Sequence, residues 1–233
     1  MHRQRRLSPV DLILGGCDFT VSALRWAAPA KGHDRHLLRD GFVAVADGAT
    51  ALVPGGRDPG EFAADALRSL WVAGANSSAS GTQVWRQAIE SVRGLAGPDG
   101  ATVSCSVVAV RERGTLLEFG RLGDCSVLVT LMNGEVLRLY DTRIATLDRR
   151  AARSVFRRRR LVRNRRLMNT PAGYWIFADV PEAAHHTEFL TVEADQVDAF
   201  AMFSDGLSHT NVSRVDALDD MTLVVAQRTH SGL

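Results

Sequence analysis

Apolar and polar positions along this chain follow two rhythms. A helical rhythm appears twice in the first half. Phe62, Ala66, Leu67 and Leu70 recur at three- and four-residue spacing across 61–71, and Val84, Ala88, Ile89, Val92 and Leu95 do so across 82–95. Asp58 ahead of Pro59 marks a helix start, and Gly97-Pro98-Asp99-Gly100 closes the second helix. Elsewhere the rhythm is that of strands. Runs flanking Gly15-Gly16 within 10–25, and a run at 41–46, precede the helices. Runs at 101–110, 115–122, 126–132 and 136–140 follow as a meander, and Asn133-Gly134 between the last two predicts a hairpin. Strand-like runs return at 174–177, 189–192, 199–203 and 221–226. Between 149 and 166 there is no Gly or Pro, and Leu147, Ala151, Val155 and Val162 fall near one stripe, which predicts a helix. Helices among the early strands, then many antiparallel strands, predict an α+β chain: two mostly antiparallel sheets packed together, with helices outside.

Composition narrows the class. At 233 residues the chain suits a single domain over 1–233, and 45% hydrophobic residues suffice for a buried core. Cys17, Cys105 and Cys125 lack metal-ligand spacing, and the last two sit in apolar runs, which predicts buried reduced thiols. No apolar stretch nears the ~20 residues of a membrane span. Asp11 interrupts the short apolar run before Leu14-Gly15-Gly16-Cys17, so that run is not read as a secretion signal and a cytoplasmic protein is expected.

Net charge is only +2, but ten arginines and no acidic residue lie between Arg149 and Arg166. The rest of the chain is therefore net acidic. Three readings of the run stay open: a solvated helix face balancing the acidic body, a dock for an acidic partner, and a nucleic-acid contact. A single aromatic, Phe156, and the acidic remainder argue against the last.

The strongest chemical signal is a set of aspartates fused to apolar runs. Phe42-Val-Ala-Val-Ala-Asp47-Gly48 and Ala199-Phe-Ala-Met-Phe-Ser204-Asp205-Gly206 each end in Asp-Gly, and Asp219-Asp220 opens the run Met221-Thr-Leu-Val-Val-Ala226. A carboxylate at a strand end is held rigidly, and the glycine beside it lets backbone or ligand come close. Any one such pair reads as a turn. Several gathered in one sheet system concentrate the hard oxygen ligands preferred by Mg²⁺ and Mn²⁺.

In order along the chain, Gly32-His33-Asp34, Val45-Ala46-Asp47-Gly48, Gly100-Ala101-Thr102, Gly123-Asp124-Cys125, Ser204-Asp205-Gly206 and Asp219-Asp220-Met221-Thr222 resemble the motifs of the PPM-type (type 2C) metal-dependent serine/threonine protein phosphatases, in their bacterial single-domain form. The resemblance spans about residues 10–228. It implies a four-layer α/β/β/α sandwich, with an Arg-rich, flap-like insert at about 141–173. It also implies two Mn²⁺ or Mg²⁺ ions held by Asp34, Asp47, the Gly48 carbonyl, Asp205 and Asp219, while Asp124 holds a turn. The implied reaction is hydrolysis of phosphoserine or phosphothreonine on proteins by a water bridging the two ions, with no side-chain nucleophile and no covalent phosphoenzyme.

The sequence departs from the family at three places. His33 replaces a usual Glu, Pro29 stands where many members carry a phosphate-gripping Arg, and Gly97 replaces an Asp of a third metal site. Arg25, Lys31 and Arg35 are the nearby candidates for holding phosphate, foremost among them Lys31 and Arg35. These departures leave an alternative open, a catalytically weak or inactive PPM-like module that binds a protein partner, alongside nucleic-acid binding through the arginine run.

Overall fold

The computed structural model describes residues 3–6, 8–27, 32–49, 57–75, 78–95, 103–144, 146–147, 155–204 and 220–229. The first hairpin follows from alternation. Leu12 and Leu14 of β2 (Val10–Leu14) and Phe19, Val21 and Ala23 of β3 (Cys17–Ala27) all face inward, and Gly15 and Gly16 turn the chain at φ of 59° and 75°. One edge of β3 carries both β2 and the short β1 (Arg3–Arg6), while its other edge takes β12 (Met221–Arg228). Beyond β12 come β11 (Val197–Phe203), β8 (Ser126–Leu131) and β9 (Val136–Leu139), completing a seven-stranded sheet.

A five-stranded sheet runs in the order β10 (Glu188–Glu193), β7 (Leu116–Leu122), β6 (Cys105–Arg113), β5 (Phe42–Gly48) and β4 (Arg35–Arg39). Each strand pairing in both sheets is antiparallel. β5 shows why its sequence reads as an unbroken apolar run rather than an alternation. Val43 and Val45 face the layer between the sheets, where Phe119 meets Phe200 of the other sheet and Phe200 meets Phe19, while Phe42, Ala44 and Ala46 face the helices. A strand covered on both faces has no polar side to show.

The helical layer is formed by α1 (Pro59–Gly74) and α2 (Gly81–Val92), which pack on each other and on the five-stranded sheet through Phe62, Leu67, Leu70, Val84, Trp85 and Ile89. Asp58 caps α1 by accepting from the Glu61 N–H at 2.9 Å. Ser80 caps α2 in a reciprocal box with Gln83, which satisfies backbone donors that a helix start otherwise leaves open. α2 stops at Val92, so Leu95 lies outside the helix and exposed.

These elements bear out the α+β sandwich of two antiparallel sheets with a helical layer. On the outer face of the seven-stranded sheet, Phe203 and Met221 cluster with Trp26, Leu128 and Leu223. Among the described residues no long helix covers that face, and residues 205–219 between β11 and β12 lie outside them.

Two local readings are corrected. The run at 174–177 is not a strand but makes two isolated bridges, Met168 with Tyr174 and Cys105 with Phe177. The arginine-rich helix, α3 (Arg157–Arg165), does not bury Val155, which is 97% exposed and precedes it. Leu147 and Val162 of the same stripe are half-buried, and Ala151 lies outside the described residues. β1 and β4 were not signalled by the pattern at all. Adjacent His185 and His186 sit in a 3-10 turn (Pro181–His186), where the His186 ring stacks on Trp175 at 3.7 Å. Cys105 and Cys125 are buried free thiols, as their apolar runs imply. Among the described residues no helix is long and apolar enough to cross a membrane.

Candidate metal centre

Antiparallel register brings the first two predicted ligands together. Arg35 of β4 lies opposite Ala46 of β5, so the next pair outward along the same two strands is Asp34 and Asp47. Asp34 is fully buried and Asp47 half-buried. Both sit at the end of the five-stranded sheet where β5 finishes.

The seven-stranded sheet reaches the same place. Ser204, just past β11, donates its hydroxyl to Asp34 Oδ2 at 2.8 Å. That hydroxyl also accepts the Thr222 N–H at 3.0 Å, so one buried serine ties the ends of β11, β12 and the entry to β4. Asp220, ahead of β12, accepts the backbone N–H groups of Gly32 and His33 through Oδ2 at 2.6 Å each. These contacts fix the loop that delivers Asp34.

Asp34 Oδ1 is buried without a hydrogen-bond partner among the described residues. The net effect of its surroundings raises this carboxyl to about 6, with burial the largest cause. Contacts with Ser204, Asp47 and Thr222 oppose that rise, while the Asp220 carboxylate adds to it. An ionised buried carboxylate with an open oxygen is costly unless a cation meets it. The donor set at this end is therefore suited to a hard divalent ion.

Gly48 is forced by its surroundings. A Cβ there would lie 2.6 Å from the Pro59 carbonyl oxygen at the start of α1 and 3.0 Å from His33 Cβ. Only glycine lets the end of β5 slide under α1, where its own carbonyl stays close to Asp47.

The remaining candidates divide. Arg35 donates from Nη1 to the carbonyls of Gly32 and Asp34, at 2.6 Å and 2.7 Å, and packs over Gly60. Arg25 donates to the same Gly32 carbonyl at 2.8 Å. Both arginines thus buttress the Asp34 loop from behind. His33 contributes its backbone N–H to Asp220. Asp124 accepts from the Ser106 hydroxyl and returns a backbone N–H to it at 3.1 Å, which pins the turn after β7. Lys31, Asp205 and Asp219 lie outside the described residues. Among the described residues no cluster of three or more His, Cys, Asp or Glu forms a metal-holding group. Ser204 and Asp220 are the residues whose roles the sequence reading passed over. Their signal was present, since both flank aspartates within the motifs already singled out.

No protein-family model and no curated protein matches the chain. Solved structures do. The PPM Ser-Thr phosphatase MsPP from Mycobacterium smegmatis, in complex with cacodylate, aligns over 89% of this chain and 97% of its own, at 18% identity and a TM-score of 0.57. The catalytic domain of the serine threonine protein phosphatase PstP, in complex with two manganese ions, aligns over 98% and 99%, at 17% identity and a TM-score of 0.53. RsbX in complex with magnesium aligns over 98% and 100%, at 9% identity and a TM-score of 0.53. The architecture is therefore that of the PPM phosphatases, spread over nearly the whole chain.

Proposed function

We propose that this chain is a metal-dependent phosphatase acting on phosphoserine or phosphothreonine in proteins. The observation that carries the reading is the buried Asp34, with an open oxygen, set opposite Asp47 at the end of a PPM-type sandwich. Asp47, Asp34 and the Gly48 carbonyl would hold the ions from the described side of the site, and Asp205 and Asp219 would complete the set. Two Mn²⁺ or Mg²⁺ ions bound there would polarise phosphate oxygens and lower the pKa of water at the site.

The chain's own groups do the positioning. Ser204 orients Asp34 by donating to Oδ2, which leaves Oδ1 directed elsewhere. Asp220 locks the loop that carries Asp34, and Arg25 and Arg35 hold that loop's carbonyls. With Arg35 engaged in this way, the phosphate grip is not assigned to it, and Lys31 remains the nearby candidate. A non-catalytic, partner-binding module is the second reading, favoured by His33, Pro29 and Gly97 at motif positions.

p-Nitrophenyl phosphate hydrolysis with and without Mn²⁺ tests the proposal, comparing wild type with Asp47→Ala and Asp205→Ala. Mn²⁺-dependent turnover lost in both variants supports the enzyme. Absence of turnover in well-folded wild type across Mn²⁺ and Mg²⁺ would favour the partner-binding module.

A further inference from the structure

We propose that the exposed face of α3 reads acidic residues flanking the phosphosite, so that the substrates are phosphoproteins whose target site lies in acidic sequence. This rests on the phosphatase reading above and adds a substrate class to it.

Placement is the first observation. Arg165 Nη1 donates to the buried Ser104 hydroxyl at 3.3 Å, and the Ser104 carbonyl accepts the Ala49 N–H at 2.9 Å, one residue past Gly48. The next residue, Cys105, exchanges two backbone bonds with Phe177, at 2.9 Å and 3.1 Å. The chain leaving α3 is therefore built into the metal end of the five-stranded sheet. Asn169 closes that return by donating its N–H to the Tyr174 carbonyl and accepting the Ile176 N–H on its side chain. Asn164 ties the other flank by donating to the Leu147 carbonyl at 3.2 Å. The C-terminal end of α3 is thus fixed beside Gly48.

The second observation is how α3 divides its faces. At roughly 100° per residue, Arg159, Arg160, Arg163 and Arg166 share an arc of about 120°, and all four are exposed. Leu161, Val162, Asn164 and Arg165 fill the opposite side and are half-buried. No acidic residue between 149 and 166 offsets the arginine face along its own segment.

Charge and size together choose the occupant. A helix of nine residues is about 14 Å long, the reach of about four residues of extended peptide. The acidic body beyond this patch would repel a long polyanion, whereas a short acidic segment meets only the arginines. The patch offers Phe156 as its aromatic, and the Arg159 guanidinium already lies over that ring at 5.7 Å. Stacking platforms for bases are thereby lacking on the described part of the patch.

The test uses the full chain with Mn²⁺ and three phosphothreonine peptides that differ only in flanks, which are acidic, neutral or basic. At low salt, kcat/KM for the acidic peptide should exceed that for the neutral one by about tenfold, and the gap should close in high salt. The triple variant Arg159→Gln, Arg160→Gln, Arg163→Gln should bring the acidic-to-neutral ratio near one, with the neutral peptide as its internal reference. Turnover without flank preference, or a preference that survives the triple variant, overturns the inference. Stronger competition by a DNA oligonucleotide of equal charge than by the acidic peptide also overturns it. If no peptide and no p-nitrophenyl phosphate is turned over, the phosphatase reading fails instead. Fluorescence anisotropy of the acidic phosphopeptide on wild type and triple variant then decides the docking claim by itself.

Discussion

Asp220 accepts two backbone N–H bonds across nearly the whole length of the chain, from Gly32 and His33. Asp220→Ala leaves both donors without a carboxylate in a buried site, at a cost of about 1–3 kcal/mol. Asp220→Asn keeps an acceptor oxygen and should retain most of that stability. Urea denaturation of the two variants measures the difference. Asp34 makes a pH prediction for the metal-free protein. Its carboxyl is raised from 3.8 to about 6 in the folded state, with Asp47 and Asp220 as its carboxylate neighbours. The folded chain therefore holds a proton that the unfolded chain has lost between these values. This contribution is fully present below about pH 4 and lost as the pH rises to about 6. In chelator, wild type should lose stability relative to Asp34→Asn across that window, and denaturation midpoints at several pH values would show it. Equal pH profiles would refute the assignment. Asp34 and Asp47 were legible as candidate ligands because each sits in a local motif. The contacts of Ser204 and Asp220 were not, although both flank motif aspartates, because they reach residues far away in sequence.

Where an element carries its own start signal, the sequence shows it. Asp58-Pro59 places the first turn of α1 where the structure has it, and the apolar spacing of α2 gives the face that meets the core. Ser80→Ala removes the cap of α2 and should lower stability by about 1 kcal/mol, read as a shift in denaturation midpoint with metal binding retained. β1 and β4 were invisible for the opposite reason. Arg3-Gln-Arg-Arg6 has no apolar residue, and Arg35-His-Leu-Leu-Arg39 does not alternate, so each owes its strand form to the partner it pairs with. Strand preference is largely such context. The stripe failed at Val155, which precedes α3, while Val162 of that stripe shares the half-buried face with Leu161 and Arg165.

At the scale of the molecule, burial sorts the three thiols. Cys105 and Cys125 lie in the core, and burial pushes the Cys105 thiol well above its ordinary range, while Cys17 is half-buried at the β2–β3 turn. Native protein should therefore react with a thiol reagent at Cys17 alone, and all three should react once urea unfolds the sandwich. Two fast-reacting thiols under native conditions would contradict the packing described. The same packing brings four strand ends to one pole, where the ions are proposed to bind. Calorimetric titration of Mn²⁺ into metal-free wild type and Asp47→Asn tests that claim most directly. Wild type should bind two ions, and the variant should lose both while still melting cooperatively. No heat of binding in wild type, or an unchanged isotherm in Asp47→Asn, would contradict it.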